Sequence, residues 1–291
     1  MKSADYYLLD VFTEQPFTGN PLAVFLASDE LDTSTMQALA NELNLAETVF
    51  LSAATQPNHY PMRIFTPTRE LPFAGHPTVG TAHLLAALEL ANPAHPLVLH
   101  PPIGALTVRY ENGQAMFTTS QPALLAASTI DRLTAVELLG LDIHQVIGDP
   151  VMASLGLPFH LIELADVKAL ESVHISSALW ASAVMTSEAP QVYLYVIERH
   201  EATRTVVRSR MFCMHASLCE DPATGSAAAA LTHYLASLTS DALHCTIHQG
   251  IEMGRPSVIE TAANGHLEAG HVQVGGHAVL VGKGTMTLNA H

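Results

Sequence analysis

Short stretches of alternating apolar and polar residues, separated by turns rich in Pro and Gly, run through most of this 291-residue chain. Such stretches are typical of β-strands, because successive side chains of a strand point to opposite faces. In the first half they predict strands at residues 8–11, 22–26, 45–51, 61–66, 97–99, 105–110 and 115–118. In the second half they predict strands at residues 151–155, 159–164, 192–197, 205–211, 246–251, 257–261, 271–274, 278–281 and 286–288. Asn112-Gly113 predicts a tight hairpin between two of the first set.

Two segments predict buried helices. Residues 78–90 and 227–238 are apolar on nearly all sides, whereas a surface helix has one polar face. Because only strand-like segments surround residues 78–90, we expect strands to enclose that helix.

The remaining helices are shorter or amphipathic. A capping box formed by Ser34 and Gln37 predicts a helix start, and Asn44 predicts the helix end. Two short helices are predicted as well, and a connection of small residues predicts the switch between two domains. These segments are residues 134–141 and 165–170 for the helices and residues 121–129 for the connection.

Each buried helix is preceded by a similar turn. Arg63-Ile64-Phe65 matches Arg210-Met211-Phe212, and Pro72-x-x-Gly75-His76 matches Pro222-x-x-Gly225-Ser226. Both turns follow a predicted strand and enter an apolar helix. The match predicts a tandem repeat of two related halves.

The two turns have chemistry suited to an anion. The first N–H groups of a helix lack partners within the helix, and the helix dipole adds partial positive charge there. Gly75 and Gly225 let a ligand approach the backbone closely. If the two helix N-termini face each other across a domain cleft, they form a site for a carboxylate. A plain tight turn with Ser226 as an ordinary N-cap explains the same residues equally well.

Glu47 is the carboxylate with the most unusual position. Strand alternation places it on the same face as Leu45, Val49 and Leu51. Burying a charge is costly, so an apolar face raises the pKa of a carboxyl group toward neutrality. A carboxyl group of that kind can both take and return a proton near pH 7.

Composition then narrows the function classes. Hydrophobic residues make up 48% of the chain and charged residues 13%, enough for a core of one large or two ordinary domains. A formal net charge of −15 argues against a nucleic-acid surface, which needs clustered Lys and Arg. Three cysteines are too few, and odd in number, for a disulfide framework. Without about 18 uninterrupted apolar residues or a signal-like start, we expect a soluble, cytoplasmic protein that does not enter a membrane.

Five motifs together resemble the PhzF-like family of phenazine biosynthesis, over residue 8 to about residue 285. They are Gly19-Asn20-Pro21, Glu47-Thr48-x-Phe50, Phe65-Thr66-Pro67, Pro72-Phe73-x-Gly75-His76-Pro77-Thr78 and Glu220-Asp221-Pro222-Ala223-Thr224-Gly225-Ser226-Ala227. The resemblance implies an α+β fold like that of diaminopimelate epimerase. It has two pseudo-symmetric domains, each a barrel-like, mostly antiparallel sheet wrapped around one central helix. The last strand commonly returns to the first domain, so we expect domains of residues 1–120 with 279–291, and of residues 121–278.

The resemblance also implies an isomerase without metal or organic cofactor, acting in the interdomain cleft on a small carboxylated substrate. It assigns Glu47 as the catalytic proton shuttle. The groups that contact the substrate and relay protons are His76, Asp221 and Ser226; the substrate-binding residues are Gly75, Gly225, Asn20 and Thr224. The resemblance further favours a homodimer.

Four alternative functions remain open or have only weak support in the sequence. An epimerase or racemase of this fold uses a cysteine at each turn, where this chain has Ala74 and, less clearly, Ala223. A non-catalytic binder of small acids would use the helix ends equally well but has no use for Glu47. The 17 histidines, among them His244 and His248 on one strand face and the group His266, His271 and His277, follow no metal-ligand pattern. A hydrolase triad of His76, Asp221 and Ser226 lacks the nucleophile-elbow motif.

Overall fold

The computed structural model describes residues 2–119, 121–201, 203–214, 217–239, 242–263 and 271–288. The chain divides into two compact units, Met1–Phe117 with Gly275–His291 (unit 1) and Thr118–Val274 (unit 2). The domains expected from the sequence, residues 1–120 with 279–291 and residues 121–278, stay a prediction.

The structure is built from strands and short helices. In chain order the strands are β1 Lys2–Val11, β2 Asn20–Phe25, β3 Glu47–Leu51, β4 His59–Phe65, β5 Glu70–Leu71, β6 Leu97–His100, β7 Leu106–Glu111, β8 Gln114–Thr118, β9 Ala123–Ala127, β10 Val146–Leu155, β11 Pro158–Leu164, β12 Gln191–Glu201, β13 Arg204–Met214, β14 Leu218–Asp221, β15 Leu243–Gln249, β16 Ser257–Ala263, β17 Val272–Gly276 and β18 Ala278–Leu288. The α-helices are α1 Thr33–Leu43, α2 Gly75–Ala87, α3 Arg132–Leu139, α4 Val167–Glu171, α5 Ser177–Leu179 and α6 Gly225–Ser237. No helix in the described ranges is long and apolar enough to cross a bilayer.

Unit 1 is a mixed, mostly antiparallel sheet around α2. Strand β1 lies between β18 and β2, antiparallel to both. The sheet continues with β3 parallel to β2, β4 antiparallel to β3, β6 parallel to β4, and β7 antiparallel to β6. Helix α2 contacts β1, β2, β3 and β18. Its Gly80 lies so close to the sheet that a Cβ atom would come 2.6 Å from Leu22 Cδ2.

Unit 2 repeats the same succession of strand pairings. Strand β10 lies antiparallel to β9 and β11, β12 is parallel to β11, and β13 is antiparallel to β12. Strand β15 is parallel to β13, and β16 is antiparallel to β15. Helix α6 contacts β10, β11, β15 and β16 and is buried on nearly all sides. The predicted repeat of two related halves, each with one enclosed helix, is therefore confirmed.

Local turn chemistry also agrees with the sequence. Glu111 and Gln114 pair across β7 and β8, with Asn112 at φ 52 and Gly113 at φ 80 between them. Positive φ at both turn residues is typical of the two-residue hairpin predicted from Asn-Gly. Asn44 ends α1 in the left-handed region, as expected.

The starts of α1, α2 and α6 differ from the prediction, and those of α3 and α4 are each displaced by two residues. Helix α1 is capped by Asp32, which accepts from the Thr35 N–H, and Ser34 donates to Asp32 instead of capping. Helices α2 and α6 begin at Gly75 and Gly225, earlier than the predicted residues 78 and 227. Because glycine and proline are poor helix formers, the sequence predicted later starts for these two helices. Proline is nevertheless tolerated in the first turn of a helix, because its missing N–H needs no helical partner there.

The N-cap of α6 is consequently Thr224, and Ser226 is the second residue of the helix rather than its N-cap. Residues 121–129 are also more ordered than the predicted connection, because β9 pairs along β10. The run Ala-Leu-Leu-Ala-Ala does not alternate, so periodicity alone gave no strand there. Strands β5 and β14 were missed because they are too short to show a period.

Candidate active site

The structure brings together two site residues predicted in unit 1, Glu47 and His76. Glu47 is the first residue of β3, and His76 lies in the first turn of α2. His76 Nδ1 is 3.4 Å from Glu47 Oε2, with side-chain exposures of 6% and 18%. The strand residues that alternate with Glu47, Val49 and Leu51, are buried. The Glu47 carboxylate therefore lies at the start of a buried strand, beside a buried imidazole, with limited exposure to solvent.

His76 is electrically neutral at physiological pH. Burial lowers the pKa of its imidazole to about 3, and a hydrogen bond to the Pro21 backbone carbonyl raises it only in part. The contact with Glu47 is therefore a polar contact between a carboxylate and a neutral ring, and it is not an ion pair. His76 Nε2 is buried and has no hydrogen-bond partner among the described residues. A neutral imidazole carries one N–H donor and one acceptor nitrogen, so His76 can exchange a hydrogen bond with a bound molecule.

Asn20 lies in the same part of unit 1. It is buried and pairs with Val11 across β1 and β2. Gly19, just before it, has φ +66, and a Cβ atom there would come 2.4 Å from the Val11 carbonyl oxygen. The tight Gly-Asn-Pro passage therefore requires glycine, and it places the Pro21 carbonyl against His76. Sequence reasoning did not identify this carbonyl, because a backbone group leaves no signal in a motif.

Both central helices present N-termini without a side-chain cap. Ala74 before α2 and Thr224 before α6 have an extended backbone. Among the described residues, neither side chain accepts a capping hydrogen bond from an N–H group of its helix. Thr78 bonds back to the Ala74 carbonyl, which leaves the first N–H groups of α2 unaffected. Gly75 and Gly225 are the first helical residues in each case. Helix N-termini of this kind can bind anions, and the anion site expected at the two turns stays a prediction.

In unit 2 the structure brings together Asp221 and Thr224. The Thr224 hydroxyl donates to Asp221 Oδ2. Ser226 follows in the first turn of α6 and is partly exposed. The predicted site residues thus form two groups, one in each unit.

Gln249 ties the second group together and was not anticipated from the sequence. Its Nε2 donates to the Asp221 carbonyl oxygen at 2.8 Å and to Thr224 Oγ1 at 3.0 Å. Its Oε1 accepts from the Thr224 N–H at 3.2 Å and lies 3.2 Å from the Tyr193 hydroxyl. Both ends of the amide are used, so its orientation is fixed, and a fully buried side chain positions the turn that carries Asp221.

An arginine fork holds the strand that leads into the unit 1 turn. Arg63 on β4 donates to both carboxylate oxygens of Glu70 on β5, at 2.7 and 2.6 Å. Its guanidinium lies 5.0 Å from the centre of the Phe65 ring. The salt bridge is about one-third exposed.

The same fork recurs in unit 2. Arg210 on β13 donates to both oxygens of Glu220 on β14, at 2.9 and 2.8 Å, and lies 4.9 Å from the Phe212 ring centre. Here the side chains are only 11% and 14% exposed. Glu70 and Glu220 occupy equivalent positions before Gly75 and Gly225. Both halves therefore use the same arginine–glutamate pair to hold the strand that leads into the turn.

The two forks allow a paired prediction. Arg210→Lys keeps the charge but loses the planar two-point contact, so we expect the free energy of unfolding to fall by about 1–3 kcal/mol. Arg63→Lys should cost less, because solvent screens the more exposed pair. Urea denaturation of both variants measures the difference. A larger loss for Arg63→Lys would contradict the greater contribution that we assign to the less exposed fork of unit 2.

Metal ligation has no geometric support within the described ranges, where no three His, Cys, Asp or Glu side chains converge on one point. His244 and His248 lie on β15, and His277 precedes β18. His266 lies outside the described residues.

Comparisons with known proteins agree with this architecture. The model of the family described as phenazine biosynthesis-like protein (PhzC-PhzF) matches residues 9–284. An uncharacterized isomerase of Mesorhizobium japonicum is 38% identical, over 99% of this chain and 100% of the relative. The trans-2,3-dihydro-3-hydroxyanthranilate isomerase of Pseudomonas chlororaphis is 32% identical, over 97% of this chain and 99% of the relative.

Solved structures extend the likeness in fold. A PhzF-family phenazine biosynthesis protein from Bacillus anthracis superposes with a TM-score of 0.88 at 22% identity, covering 99% of this chain and 100% of that one. A hydroxyproline epimerase from Agrobacterium vitis gives a TM-score of 0.62 at 11% identity, covering 99% and 93%. The α+β fold with two related halves, expected to resemble that of diaminopimelate epimerase, is thereby confirmed.

Proposed function

Because the chain belongs to the phenazine biosynthesis-like family and is an isomerase, we propose that it moves a proton on a small carboxylated metabolite, with Glu47 as general acid and base. The observation that carries the proposal is the Glu47–His76 pair in unit 1, with Oε2 and Nδ1 3.4 Å apart. A carboxylate can remove a proton from carbon and return it at a neighbouring position on the same face of the substrate. The result is the migration of a double bond or a tautomerisation.

His76 supports this chemistry as a neutral hydrogen-bonding group. Because burial keeps its pKa at about 3, the ring does not become an imidazolium at the pH of the reaction. An imidazolium beside Glu47 would stabilise the carboxylate and weaken it as a base. A neutral ring instead leaves the basicity of Glu47 to its own surroundings. The raised pKa that the sequence predicts for Glu47 stays a prediction.

The remaining predicted residues are proposed to bind the substrate. Carboxylate recognition is assigned to the backbone at Gly75 and Gly225, where the helix N-termini offer N–H groups. The side chains proposed to contact the substrate or relay protons are Asp221, Ser226, Asn20 and Thr224. The placement of both groups in one interdomain cleft stays a prediction, as do the homodimer and the cytoplasmic location.

No cofactor is needed for this proton shift, because a carboxylate supplies both the base and the acid. The relative from Pseudomonas chlororaphis bears the name of a dihydro-hydroxyanthranilate isomerase. Anthranilates carry a ring carboxylate, so we propose cyclic carboxylates as the substrate class for this chain. An epimerase or racemase with two thiols is disfavoured, since Ala74 and Ala223 stand where such thiols are expected.

The experiment that tests the proposal is proton exchange in deuterated buffer. A panel of cyclic and α-amino carboxylates, including trans-2,3-dihydro-3-hydroxyanthranilate, is incubated with the protein and followed by NMR. We expect deuterium to enter one carbon of a product with a shifted double bond. Binding without exchange across the panel would support the non-catalytic binder instead, and exchange with inversion at the same carbon would support an epimerase.

A further inference from the structure

Two cysteines face each other beside the Asp221 turn. Cys213 on β13 and Cys219 on β14 are directly opposite partners in the antiparallel ladder, with their Sγ atoms 3.5 Å apart. Opposite residues of such a ladder have Cα atoms about 4.5–5.5 Å apart. That separation lies within the range of about 4.4–6.8 Å that a disulfide spans. The backbone is therefore already placed for a bond between the two sulfur atoms.

We propose that Cys213 and Cys219 are an oxidation site that forms a reversible intrachain disulfide. Side-chain rotation alone brings the sulfur atoms to bonding distance, because the ladder fixes both strands. The pair sits at the end of a hairpin whose strands are held further along by the Arg210–Glu220 fork. A bond here adds a covalent link to an existing pairing and requires no rearrangement of the sheet.

Access to oxidant distinguishes the two thiols. Cys213 is buried, at 6% exposure, whereas Cys219 is partly exposed. Hydrogen peroxide therefore reaches Cys219 first. The Cys219 sulfur attacks one peroxide oxygen, the O–O bond breaks, and a sulfenic acid and one water form. The Cys213 sulfur then attacks the Cys219 sulfur, the S–S bond forms, and the second water leaves.

The electrons and atoms balance in this sequence. Two thiols lose two electrons and two protons, and one peroxide is reduced to two water molecules. A dithiol such as dithiothreitol returns the two electrons and restores both thiols. The third thiol, Cys245, is buried on β15, and burial raises its pKa to about 11. It is accordingly unreactive and supplies a matched control.

The position of the bond relates it to the candidate site. Cys219 and Asp221 lie on the same side of β14, since side chains alternate along a strand. Glu220, on the other side, is held by Arg210. The disulfide would link the face of β14 that carries Cys219 and Asp221 to β13, just before Asp221. Oxidation is therefore expected to slow amide hydrogen exchange in β14.

The test counts thiols in the purified protein before and after hydrogen peroxide. Alkylation under denaturing conditions should fall from three thiols to one, with a monomer mass lower by two hydrogen atoms, and dithiothreitol should restore three. Peptide mapping should locate the link between Cys213 and Cys219. The Cys245→Ser variant should behave in the same way, losing both of its remaining thiols.

The single variants make the proposal falsifiable. Cys213→Ser should leave a sulfenic acid at Cys219 that dimedone traps, and Cys219→Ser should keep both remaining thiols. Retention of all three thiols in the wild type, overoxidation of Cys219 without a link, a link that includes Cys245, or a crosslink between two chains would each overturn the proposal.

Discussion

Glu47→Gln should lower the rate of substrate proton exchange by about 10²–10⁴-fold, the range typical of a lost general acid–base group. The amide has nearly the same shape as the carboxyl group, so it fills the same space beside His76. It cannot accept and return a proton, however. Deuterium incorporation followed by NMR measures the loss on any substrate that the wild type turns over.

Binding and folding should survive the same substitution. The proposed carboxylate contacts are backbone N–H groups at Gly75 and Gly225, which Glu47→Gln leaves in place, so ligand affinity should change little. Glu42→Gln on α1 is the matched control, because Glu42 is an exposed carboxylate. It should exchange protons at the wild-type rate. Exchange in Glu47→Gln within about tenfold of the wild type would remove Glu47 from its assigned role.

Gly250→Ala should destabilise the protein strongly, because Gly250 lies against the turn that follows Asp221. Gly250 has φ +75, and a Cβ atom there would lie 2.5 Å from the Pro222 carbonyl oxygen and 2.6 Å from that of Arg255. A left-handed conformation costs an L-residue about 1–2 kcal/mol, and overpacking costs about 1–3 kcal/mol more. Both contacts are backbone atoms, so the chain must move to relieve them. We expect a loss of about 2–5 kcal/mol in the free energy of unfolding, measured by urea denaturation.

Gly254 provides a control in the same loop. It also has a positive φ, of +70, but nothing lies within 4 Å of its Cβ position. Gly254→Ala should therefore lose only the conformational part, about 1–2 kcal/mol. Equal losses in the two variants would show that the close approach to Pro222 is unimportant. A selective loss in Gly250→Ala would instead establish that the end of β15 supports the turn that carries Asp221.

The features predictable from sequence were those set by neighbouring residues. Strand alternation, the Asn112-Gly113 hairpin and the end of α1 at Asn44 depend on local conformational preferences. The repeat was also recognisable, because Arg63 and Arg210 each begin a similar strand end that is followed, after gaps of different length, by a Pro-x-x-Gly turn. The interaction that recurs with it was not recognisable, because the arginines meet their partners Glu70 and Glu220 only when two strands pair.

The candidate site was predictable as a set of residues but less so as an arrangement. Glu47 stood out because a carboxylate on an apolar strand face needs an explanation. Its contact with His76 depends on how α2 packs on β3, which periodicity does not specify. Gln249 gave no signal at all, because its role arises from β15 lying beside β13, far along the chain. Helix starts at Gly75 and Gly225 were missed because tertiary packing outweighs weak helix propensity.

Strand β18 has a consequence for the order in which the protein can be completed during synthesis. It pairs along the whole of β1, the first strand of the chain. Because β18 is synthesised after the other described strands, the sheet of unit 1 is filled only after unit 2 has been made. Unit 2 is continuous in sequence and is subject to no such delay. Chains that stop before β18 are thus expected to be defective in unit 1, most of which is synthesised first.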